Sequence, residues 1–201
     1  MAKRKYHHGN LRSELIRAAT AILEIDGVQG LTLRRAARDA GVSHAAPAHH
    51  FKDKRGLLAA VAAEGFADLL RAMKSHPESA TPLDRLRAVG VGYISFALAH
   101  PDVFRAMFHP SLVEREDLPE LDASAKGTFR HLVEVITDCQ SAGLVSKGEP
   151  RDLALVAWAT VHGASVLAVE DELRGHGLET DPTVLAMAVT TRIFLGLRAD
   201  T

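Results

Sequence analysis

The side chains best suited to chemistry lie between residues 32 and 54, and their types suit contact with double-stranded DNA. A guanidinium can bond guanine O6 and N7 together, so Arg34 is predicted to read a base; an arginine solvated on an exposed helix face is the alternative. Thr32 and Lys54 each stand at the predicted start of a helix, where free backbone N–H groups favour a phosphate. These residues predict two kinds of contact, one that reads sequence and one that positions the protein.

A second group of candidate DNA-contacting residues follows the glycine turn Gly41-Val42-Ser43. Small side chains at the start of a short helix can approach base edges, and alanine methyl groups can contact the methyl group of thymine. The predicted base-edge residues are Ser43, His44, Ala45 and Ala46. His49 and His50, further along the same helix, are predicted to touch phosphate.

Clustered histidines also raise the alternative of a metal site. The candidate ligands are His7, His8, His44, His49 and His50. None of the 11 histidines forms an H-x-x-x-H or E-x-x-H pair, the spacings that place two ligands on one helix face. The lone Cys139 cannot build a thiolate site, and a buried, inert thiol is expected there. We therefore predict no metal and no cofactor.

The charge distribution supports a DNA-binding end of the chain. The net charge is −1 over 201 residues, yet residues 1–55 hold 11 Lys and Arg against 5 Asp and Glu, and residues 56–201 hold 13 against 20. Such asymmetry points to a polyanion-binding part on an acidic body. The basic start, Lys3 to Lys5 with Tyr6, His7 and His8, is predicted to follow the DNA backbone or enter the minor groove. A disordered terminus in the free protein is the alternative.

Aromatic residues gather in the acidic part, since eight of the ten lie beyond Arg55. They are predicted to line an apolar ligand pocket between helices, with core packing as the alternative. The predicted lining residues are Phe66, Leu70, Tyr93, Phe96, Phe104, Met107, Phe108, Phe129, Trp158 and His162. A mostly apolar pocket with one His and one Tyr predicts a lipophilic or aromatic small molecule.

The motifs disfavour an enzyme. The chain contains no G-x-S-x-G, no G-x-x-x-x-G-K and no H-E-x-x-H. His162 with Glu170 or Asp171 has the residue types of an acid–base pair, but no nucleophile accompanies them. An enzyme or a haem-type binding protein with a basic helical cap is the alternative.

Helices must position these residues, because apolar spacing near 3.6 dominates and alternating strand patterns are nearly absent. The predicted all-α fold has about nine helices, at residues 10–25, 32–41, 44–50, 54–74, 82–100, 101–108, 119–142, 151–172 and 182–198. Asn10 and Ser43 are predicted N-caps, and Gly41 is predicted to supply a positive φ at a helix C-terminus. Pro47 predicts a distorted opening turn in the third helix.

The second and third predicted helices match a helix-turn-helix, whose second member enters the major groove. With LRSELIRAATAILEIDG, VQGLTLRRAARDAGVS and HHFKDKRGLL, residues 10–58 resemble the DNA-binding domain of TetR-type transcriptional regulators. The recognition helix HAAPAHHF departs from the family, which commonly has an aromatic residue at the position of Ala48 and a leucine or similar residue at that of Pro47. The family's aromatic contact to phosphate is therefore expected to be missing.

The segment Trp158-Ala-Thr-Val-His162-Gly163, which follows FALAHPDVFRAMF, resembles the C-terminal domain of a TetR subgroup with a W-x-x-x-H-G motif. In the family the last two long helices pair with their copies as a four-helix dimer interface. The residues of this chain that suit that role are Ala157, Ala164, Ser165, Ala168, Val184, Met187, Thr191, Phe194 and Leu195. A monomer that buries the same surface internally is the alternative.

We therefore expect a DNA-binding helix-turn-helix domain at residues 1–55 and a helical ligand-binding and dimerisation domain at residues 56–201. The resemblance implies a homodimeric regulator, a repressor released from a pseudo-palindromic operator by a small molecule. A ligand-independent architectural DNA binder is a further alternative.

The chain is expected in the cytoplasm and not in a membrane. A single cysteine excludes an internal disulfide, and no apolar h-region follows the basic start, so a secretory signal is not predicted. The longest uncharged run, residues 153–169, has 17 residues and is borderline for a membrane span. We interpret it as a helix buried all round at an interface.

Overall fold

The computed structural model describes residues 11–77, 80–178 and 181–197, and its regular elements in these ranges are nine α-helices and two short 3₁₀ helices. The α-helices are α1 (Leu11–Gly30), α2 (Leu33–Asp39), α3 (Lys54–Met73), α4 (Pro82–Ala99), α5 (Pro101–Met107), α6 (Pro119–Ser141), α7 (Pro150–Val169), α8 (Glu172–Gly175) and α9 (Pro182–Leu197). The 3₁₀ helices are Ala46–His49 and Pro110–Leu112. The predicted all-α fold is confirmed.

Helix α1 is interrupted at Gly27, within the Asp26-Gly27 pair at which the sequence predicts that the helix ends. Gly27 has φ 61° and ψ −167°, a positive-φ conformation that is accessible to glycine without a steric penalty. Three predicted features lie outside the described residues: the basic arm from Lys3 to His8, the N-cap at Asn10 and the end of the last helix near Arg198.

The turn after α2 has the geometry that its glycine predicts. Gly41 has φ 71°, in the left-handed region that favours glycine. Its N–H donates to the carbonyl of Arg38 at 3.0 Å, and the N–H of Val42 donates to that of Ala37 at 2.9 Å. This double hydrogen bond is the Schellman motif, which satisfies the last carbonyls of α2 and redirects the chain.

The third predicted helix is present as a 3₁₀ helix, so the α-helical prediction is wrong in type. Pro47 has no N–H to donate to the carbonyl of Ser43, and that carbonyl accepts from Ala46 instead, at 3.0 Å. The N–H of His50 likewise donates three residues back, to Pro47, at 2.9 Å. The N-cap residue is consequently Ala45 and not Ser43. Below, residues 43–50 are called the recognition segment.

The chain divides into two compact units. The first contains the residues up to Gly65 together with Asp102–Asp122, and the second contains Phe66–Pro101 and the residues from Ala123 onward. Helix α3 contributes residues to both units. The chain therefore passes from one unit to the other three times, after Gly65, Pro101 and Asp122.

The core of the first unit joins α1, α2, the first half of α3 and α5. Leu15, Leu31, Leu57 and Leu58 are essentially inaccessible to solvent. Helix α5 approaches α3 so closely that a Cβ at Gly65 would lie 2.8 Å from Met107 Sδ. The short helix α5 is thus part of the packing around the helix that begins at Lys54.

Helix α4 packs against α7 and α9 in the second unit. Two glycines on opposite faces of α4 permit close approach of its neighbours, since positions two apart on a helix are about 200° apart. A Cβ at Gly90 would overlap Thr190 of α9, and a Cβ at Gly92 would lie within 3.0 Å of backbone atoms of Ala72 and Met73 in α3. Gly92 therefore sets the distance between α3 and α4.

Helix α7 is not buried all round within the single chain, and burial of its remaining faces at an interface stays a prediction. A single stripe is buried, formed by Ala154, Ala157, Val161 and Ser165. The helix ends at Val169, earlier than predicted, because Asp171 adopts a left-handed conformation with φ 60° and a separate turn, α8, follows. The remaining surface of α7 includes exposed apolar side chains, which are described below.

Candidate nucleic-acid interface

The three arginines of α2, Arg34, Arg35 and Arg38, differ in their partners. Among the described residues a carboxylate pairs with Arg35 and with Arg38, and none pairs with the exposed Arg34. Arg35 forms an ion pair with Asp26 at 2.5 Å and donates to the carbonyl of Gly30 at 3.4 Å. Arg38 donates to Asp39 at 2.9 Å. Arg34 is thus accessible and has no carboxylate partner among the described residues, and base reading stays a prediction.

Thr32 is the N-cap of α2, which changes the way in which it can hold a phosphate. Its Oγ1 accepts a hydrogen bond from the N–H of Arg35 at 3.1 Å. The hydroxyl proton of this exposed side chain can still be donated to a phosphate oxygen. The predicted phosphate contact then depends on this hydroxyl group and on the first N–H groups of α2.

The start of α3 carries an acidic cap beside the predicted cation Lys54. Asp53 Oδ1 accepts from the N–H of Gly56 at 2.8 Å, so a carboxylate already satisfies part of the positive end of this helix. A phosphate contact at this position must come from the ammonium group of Lys54, a half-exposed residue, and the helix N-terminus adds less than the sequence suggested.

The recognition segment presents mostly exposed side chains. Ser43, His44, Ala45, His49 and His50 are exposed, and Ala46 is half-buried. Pro47 is buried, so it anchors the 3₁₀ helix on the core of the first unit. Ala48 is also exposed.

Arg55 forms a cluster of hydrogen bonds that the sequence analysis did not anticipate. Its Nε donates to the carbonyl of Ser111 at 2.8 Å, its Nη1 donates to both carboxylate oxygens of Asp117 at 2.8 and 2.6 Å, and its Nη2 donates to the carbonyl of Glu114. The hydrogen bond from Arg55 lowers the pKa of Asp117 below its ordinary value. Residues 111–117 are therefore held by hydrogen bonds to Arg55, the residue after Lys54. No local sequence pattern predicts a contact between residues so far apart in the chain.

Four predicted pocket residues meet in the second unit. Trp158 lies beside Phe129, with ring centroids 5.9 Å apart, and its Nε1–H donates to Tyr93 Oη at 3.3 Å. Tyr93 Oη lies 2.9 Å from His162 Nδ1. Below, Tyr93, Phe129, Trp158 and His162 are called the aromatic cluster.

Burial sets the protonation of the aromatic cluster. Desolvation raises the pKa of Tyr93 and lowers the pKa of His162, so both groups are neutral near pH 7. The tyrosine oxygen accepts from Trp158 Nε1–H and shares a second hydrogen bond with His162 Nδ1. The cluster is thus an uncharged hydrogen-bond chain in aromatic surroundings.

The other predicted pocket residues are distributed over both units. Phe66 and Phe96 are buried in the second unit, where Phe96 packs on His100, and Leu70 is half-buried there. Phe104, Met107 and Phe108 belong to the first unit, and the rings of Phe104 and Phe108 are 5.2 Å apart. The described contacts therefore unite four of the ten predicted lining residues.

The predicted dimer residues fall into three groups. Ala157 and Ser165 are buried within the chain, and the hydroxyl of Ser165 donates to the carbonyl of Val161 at 2.7 Å. Ala164, Ala168 and Phe194 are half-buried. The exposed members are Val184, Met187, Thr191 and Leu195, all on α9.

Sequence reasoning missed the exposed apolar residues of α7. They are Leu155, Val156, Val166 and Leu167. Two of the small residues predicted for the interface, Ala157 and Ser165, are buried within the chain, and larger apolar residues of α7 face outward. Below, these four residues with Val184, Met187 and Leu195 are called the α7–α9 face.

Neither a metal site nor a membrane span is supported by the described chain. Among the residues that the structure describes, no three His, Cys, Asp or Glu side chains are grouped as metal ligands, and His7 and His8 lie outside that part. In the same part, α7 passes the length and composition test for crossing a membrane. One such helix is weak support, because helices of soluble proteins pass the same test, and α7 packs against α4 and α9.

Two family models match the chain and together cover most of it. The model described as "Bacterial regulatory proteins, tetR family" matches residues 15–61, which include α2, the turn and the recognition segment. The model described as "Tetracyclin repressor-like, C-terminal domain" matches residues 86–192.

Similar proteins extend over nearly the whole chain. An uncharacterised HTH-type transcriptional regulator of Mycobacterium tuberculosis is 26% identical over 173 residues, which is 84% of this chain and 88% of the relative. A solved structure of a protein of unknown function from Rhodococcus sp. RHA1 is 36% identical, with a TM-score of 0.83, and the match covers 98% of this chain and 100% of that one.

A second solved structure carries a family name. It is a bacterial regulatory protein in the tetR family from Rhodococcus RHA1, 19% identical, with a TM-score of 0.71 and coverage of 94% of this chain and 98% of that one. At this identity the likeness concerns the fold.

Proposed function

Because the chain belongs to the tetR family of bacterial regulatory proteins, and is thus a DNA-binding transcriptional regulator, we propose that it acts as a homodimeric repressor released from its operator by a small molecule. The observation that carries the DNA-binding role is the helix-turn-helix, whose exposed Thr32 and Arg34 and half-exposed Lys54 lie in a segment with 11 Lys and Arg against 5 Asp and Glu.

DNA contacts divide into reading and positioning. Arg34 reads a guanine, and the side chains of the recognition segment from Ser43 to Ala46 meet base edges. Thr32, Lys54, His49 and His50 touch phosphates. These assignments are supported by the exposure of the side chains and by the absence of a carboxylate partner for Arg34 in the described chain.

The dimer forms through the α7–α9 face. Its exposed members include Val156, Leu167 and Met187, at 56%, 47% and 48% exposure, and apolar area of this kind favours association. Two copies related by a two-fold axis present two recognition segments at roughly 34–36 Å, one turn of DNA, which matches a pseudo-palindromic operator.

The ligand binds in the second unit beside the aromatic cluster, and we assign the chain to the subgroup with the W-x-x-x-H-G motif through Trp158, His162 and Gly163. A neutral cluster of rings suits a lipophilic or aromatic molecule with few charges. By linkage, the ligand weakens DNA binding only as far as it prefers the conformer that binds DNA poorly.

The remaining features of the proposal concern organisation and place. Residues 1–55 carry the DNA contacts, and residues 56–201 carry the ligand and dimer contacts. The protein works in the cytoplasm, where DNA is accessible, and it is not an enzyme.

Selection of bound duplexes from a random library, followed by gel-shift titration, tests the proposal. We expect a pseudo-palindrome with half-sites about 10–10.5 base pairs apart. Affinity should fall steeply with salt, because phosphate contacts release counterions. Binding without any preferred sequence at every salt concentration would contradict a repressor function.

A thermal-shift screen tests the ligand. A lipophilic or aromatic compound should raise the melting temperature and lower operator affinity in the same preparation. A compound that raises the melting temperature and leaves operator affinity unchanged binds the protein without acting as its inducer.

A further inference from the structure

The recognition segment and its flanks are unusual in their ionisable groups. Residues 40–51 contain no Lys, Arg, Asp or Glu, and the ionisable side chains among them are His44, His49 and His50. All three imidazoles are exposed. The charge of residues 40–51 is therefore set by histidine alone, beside the permanent charge of Arg34 on α2.

No carboxylate among the described residues is paired with these imidazoles. Asp39, the acid of α2, is bound by Arg38 at 2.9 Å and lies 3.6 Å from Arg35. Asp53 caps α3, and the cations of the flanking elements include Arg34, Lys52 and Lys54. On α1, Arg12 lies over the ring of Phe51 and is paired with Glu120.

Bound DNA changes this balance. The ordinary pKa of histidine lies near 6.5, so an exposed imidazole is mostly neutral at neutral pH. Phosphates within a few ångströms favour the imidazolium form, and the pKa of an imidazole beside them rises in the complex. Proton uptake then accompanies binding, because the complex holds more protons than the free partners.

We propose that His44, His49 and His50 make operator binding proton-linked, so that this regulator holds its DNA more tightly as the pH falls from about 8 to about 6. The proposal rests on the proposed DNA-binding function and deepens it by naming the cations on the recognition surface. Each imidazole whose pKa rises by one unit in the complex tightens binding up to about tenfold below its ordinary pKa.

The linkage also predicts a change in salt dependence. An imidazolium that neutralises a phosphate displaces counterions, which adds about 0.9 to the slope of log affinity against log salt. The slope should therefore be steeper at the lower pH. A neutral hydrogen bond from histidine to a base gives no such change, so the slope separates the two kinds of contact.

The experiment uses the full chain and a fluorescent duplex that carries the selected operator, with anisotropy titrations at constant ionic strength near pH 6 and near pH 8. The test variant is H44Q/H49Q/H50Q, because glutamine retains hydrogen bonding without a titrating charge. The matched control is H100Q/H176Q, which removes two exposed imidazoles of the second unit.

Wild type and control should bind about tenfold or more tightly at the lower pH, and the test variant should change by less than about twofold. H49K/H50K is the second variant, for the case in which the test variant binds too weakly to measure. Its permanent charges should bring affinity at the higher pH close to that of wild type at the lower pH.

Three results would overturn the proposal: equal affinity of wild type at both pH values, an undiminished pH effect in the test variant, or loss of the effect in H7Q/H8Q, which would assign it to the N-terminal arm. Binding without sequence preference at either pH contradicts the proposed repressor function instead. The failures of the two hypotheses are thus distinguishable.

Discussion

Arg34 and Arg35 are adjacent and chemically identical, yet their partners give them different roles. Arg35 is held by Asp26, the carbonyl of Gly30 and Asp39, and Arg34 extends from the same helix without a carboxylate partner in the described chain. One change at each position should therefore separate DNA recognition from folding.

We expect R34A to weaken binding to the selected operator by about 1–3 kcal/mol and to relax preference at one base pair, because a bidentate contact to guanine is lost. Gel-shift titration against the operator and its single-base variants measures both effects. The unfolding transition in urea should stay that of wild type. Unchanged operator affinity would show that Arg34 is solvated and reads no base.

The neighbouring change R35A should leave recognition to Arg34 but destabilise the fold by about 1–3 kcal/mol, since charge-assisted hydrogen bonds of a half-buried guanidinium are removed. Urea denaturation followed by circular dichroism measures the loss. A variant as stable as wild type would mean that these contacts contribute nothing net.

For Lys54 the expected result is different in kind. K54A should weaken binding to every duplex alike and reduce the salt slope by about one, because a phosphate contact carries no sequence information. Titrations of the operator and of an unrelated duplex at several salt concentrations supply the comparison. A loss confined to the operator would assign Lys54 to base reading.

At the scale of the elements, the contact of α4 with α3 depends on Gly92. G92A places a methyl group against the backbone of Ala72 and Met73, which cannot rotate away, so the two helices must separate. We expect a loss of about 1–3 kcal/mol of stability, as for overpacked cores.

The matched control for Gly92 is Gly127 in α6, where a Cβ would meet nothing within 4 Å. Alanine is the better helix former, so G127A should stabilise the chain by about 0.5–1 kcal/mol. Equal effects of the two substitutions in thermal and urea unfolding would contradict the close α3–α4 contact.

The hydrogen bonds of Arg55 also join two elements, since they hold residues 111–117 to the start of α3. R55Q removes the donors to Ser111, Glu114 and Asp117, and we expect faster amide hydrogen exchange across this segment. R71Q, which removes an equal charge from an exposed pair within α3, is the control and should leave the segment protected. Equal exchange in both variants would argue against this effect of Arg55.

The pH dependence of this contact has a defined sign. Because the pKa of Asp117 is lowered in the folded chain, the contact stabilises at all pH values above the ordinary pKa of a carboxyl group and is lost as the pH falls through the lowered value. Exchange protection of residues 111–117 should therefore be constant near neutrality and decrease only in acid.

Local features of these elements could be predicted from the sequence, and features that depend on distant residues could not. The positive φ of Gly41 follows from chemistry within a few residues. The 3₁₀ form of the recognition segment was predicted only in part: a distorted opening turn at Pro47 was expected, but not the Ala46-to-Ser43 and His50-to-Pro47 hydrogen bonds three residues apart. The hydrogen bonds of Arg55 to residues 111–117, and the choice of which face of α7 is exposed, depend on residues far away in the chain. No local pattern encodes them.

At the scale of the whole molecule, the proposed dimer interface is the α7–α9 face, whose apolar side chains are exposed in the single chain. L167E/M187E places two carboxylates on exposed apolar positions, and we expect the dimer to dissociate and operator affinity to fall because two half-sites are no longer bound together. Light scattering coupled to size-exclusion chromatography measures the mass. The control is I25E, at an exposed apolar residue of the first unit. A double variant that remains dimeric would place the interface elsewhere.

The chain crosses between its two units three times, and this limits how chimeras of such regulators can be made. A fragment that ends at Gly65 lacks α5, and with it Val103, Met107 and Leu112, three buried side chains of the first unit. A chimera made by one junction would therefore join a helix-turn-helix to a foreign α5. To exchange DNA specificity between two relatives, both segments of the first unit, the residues up to Gly65 and residues 102–122, should be replaced together in one chimera.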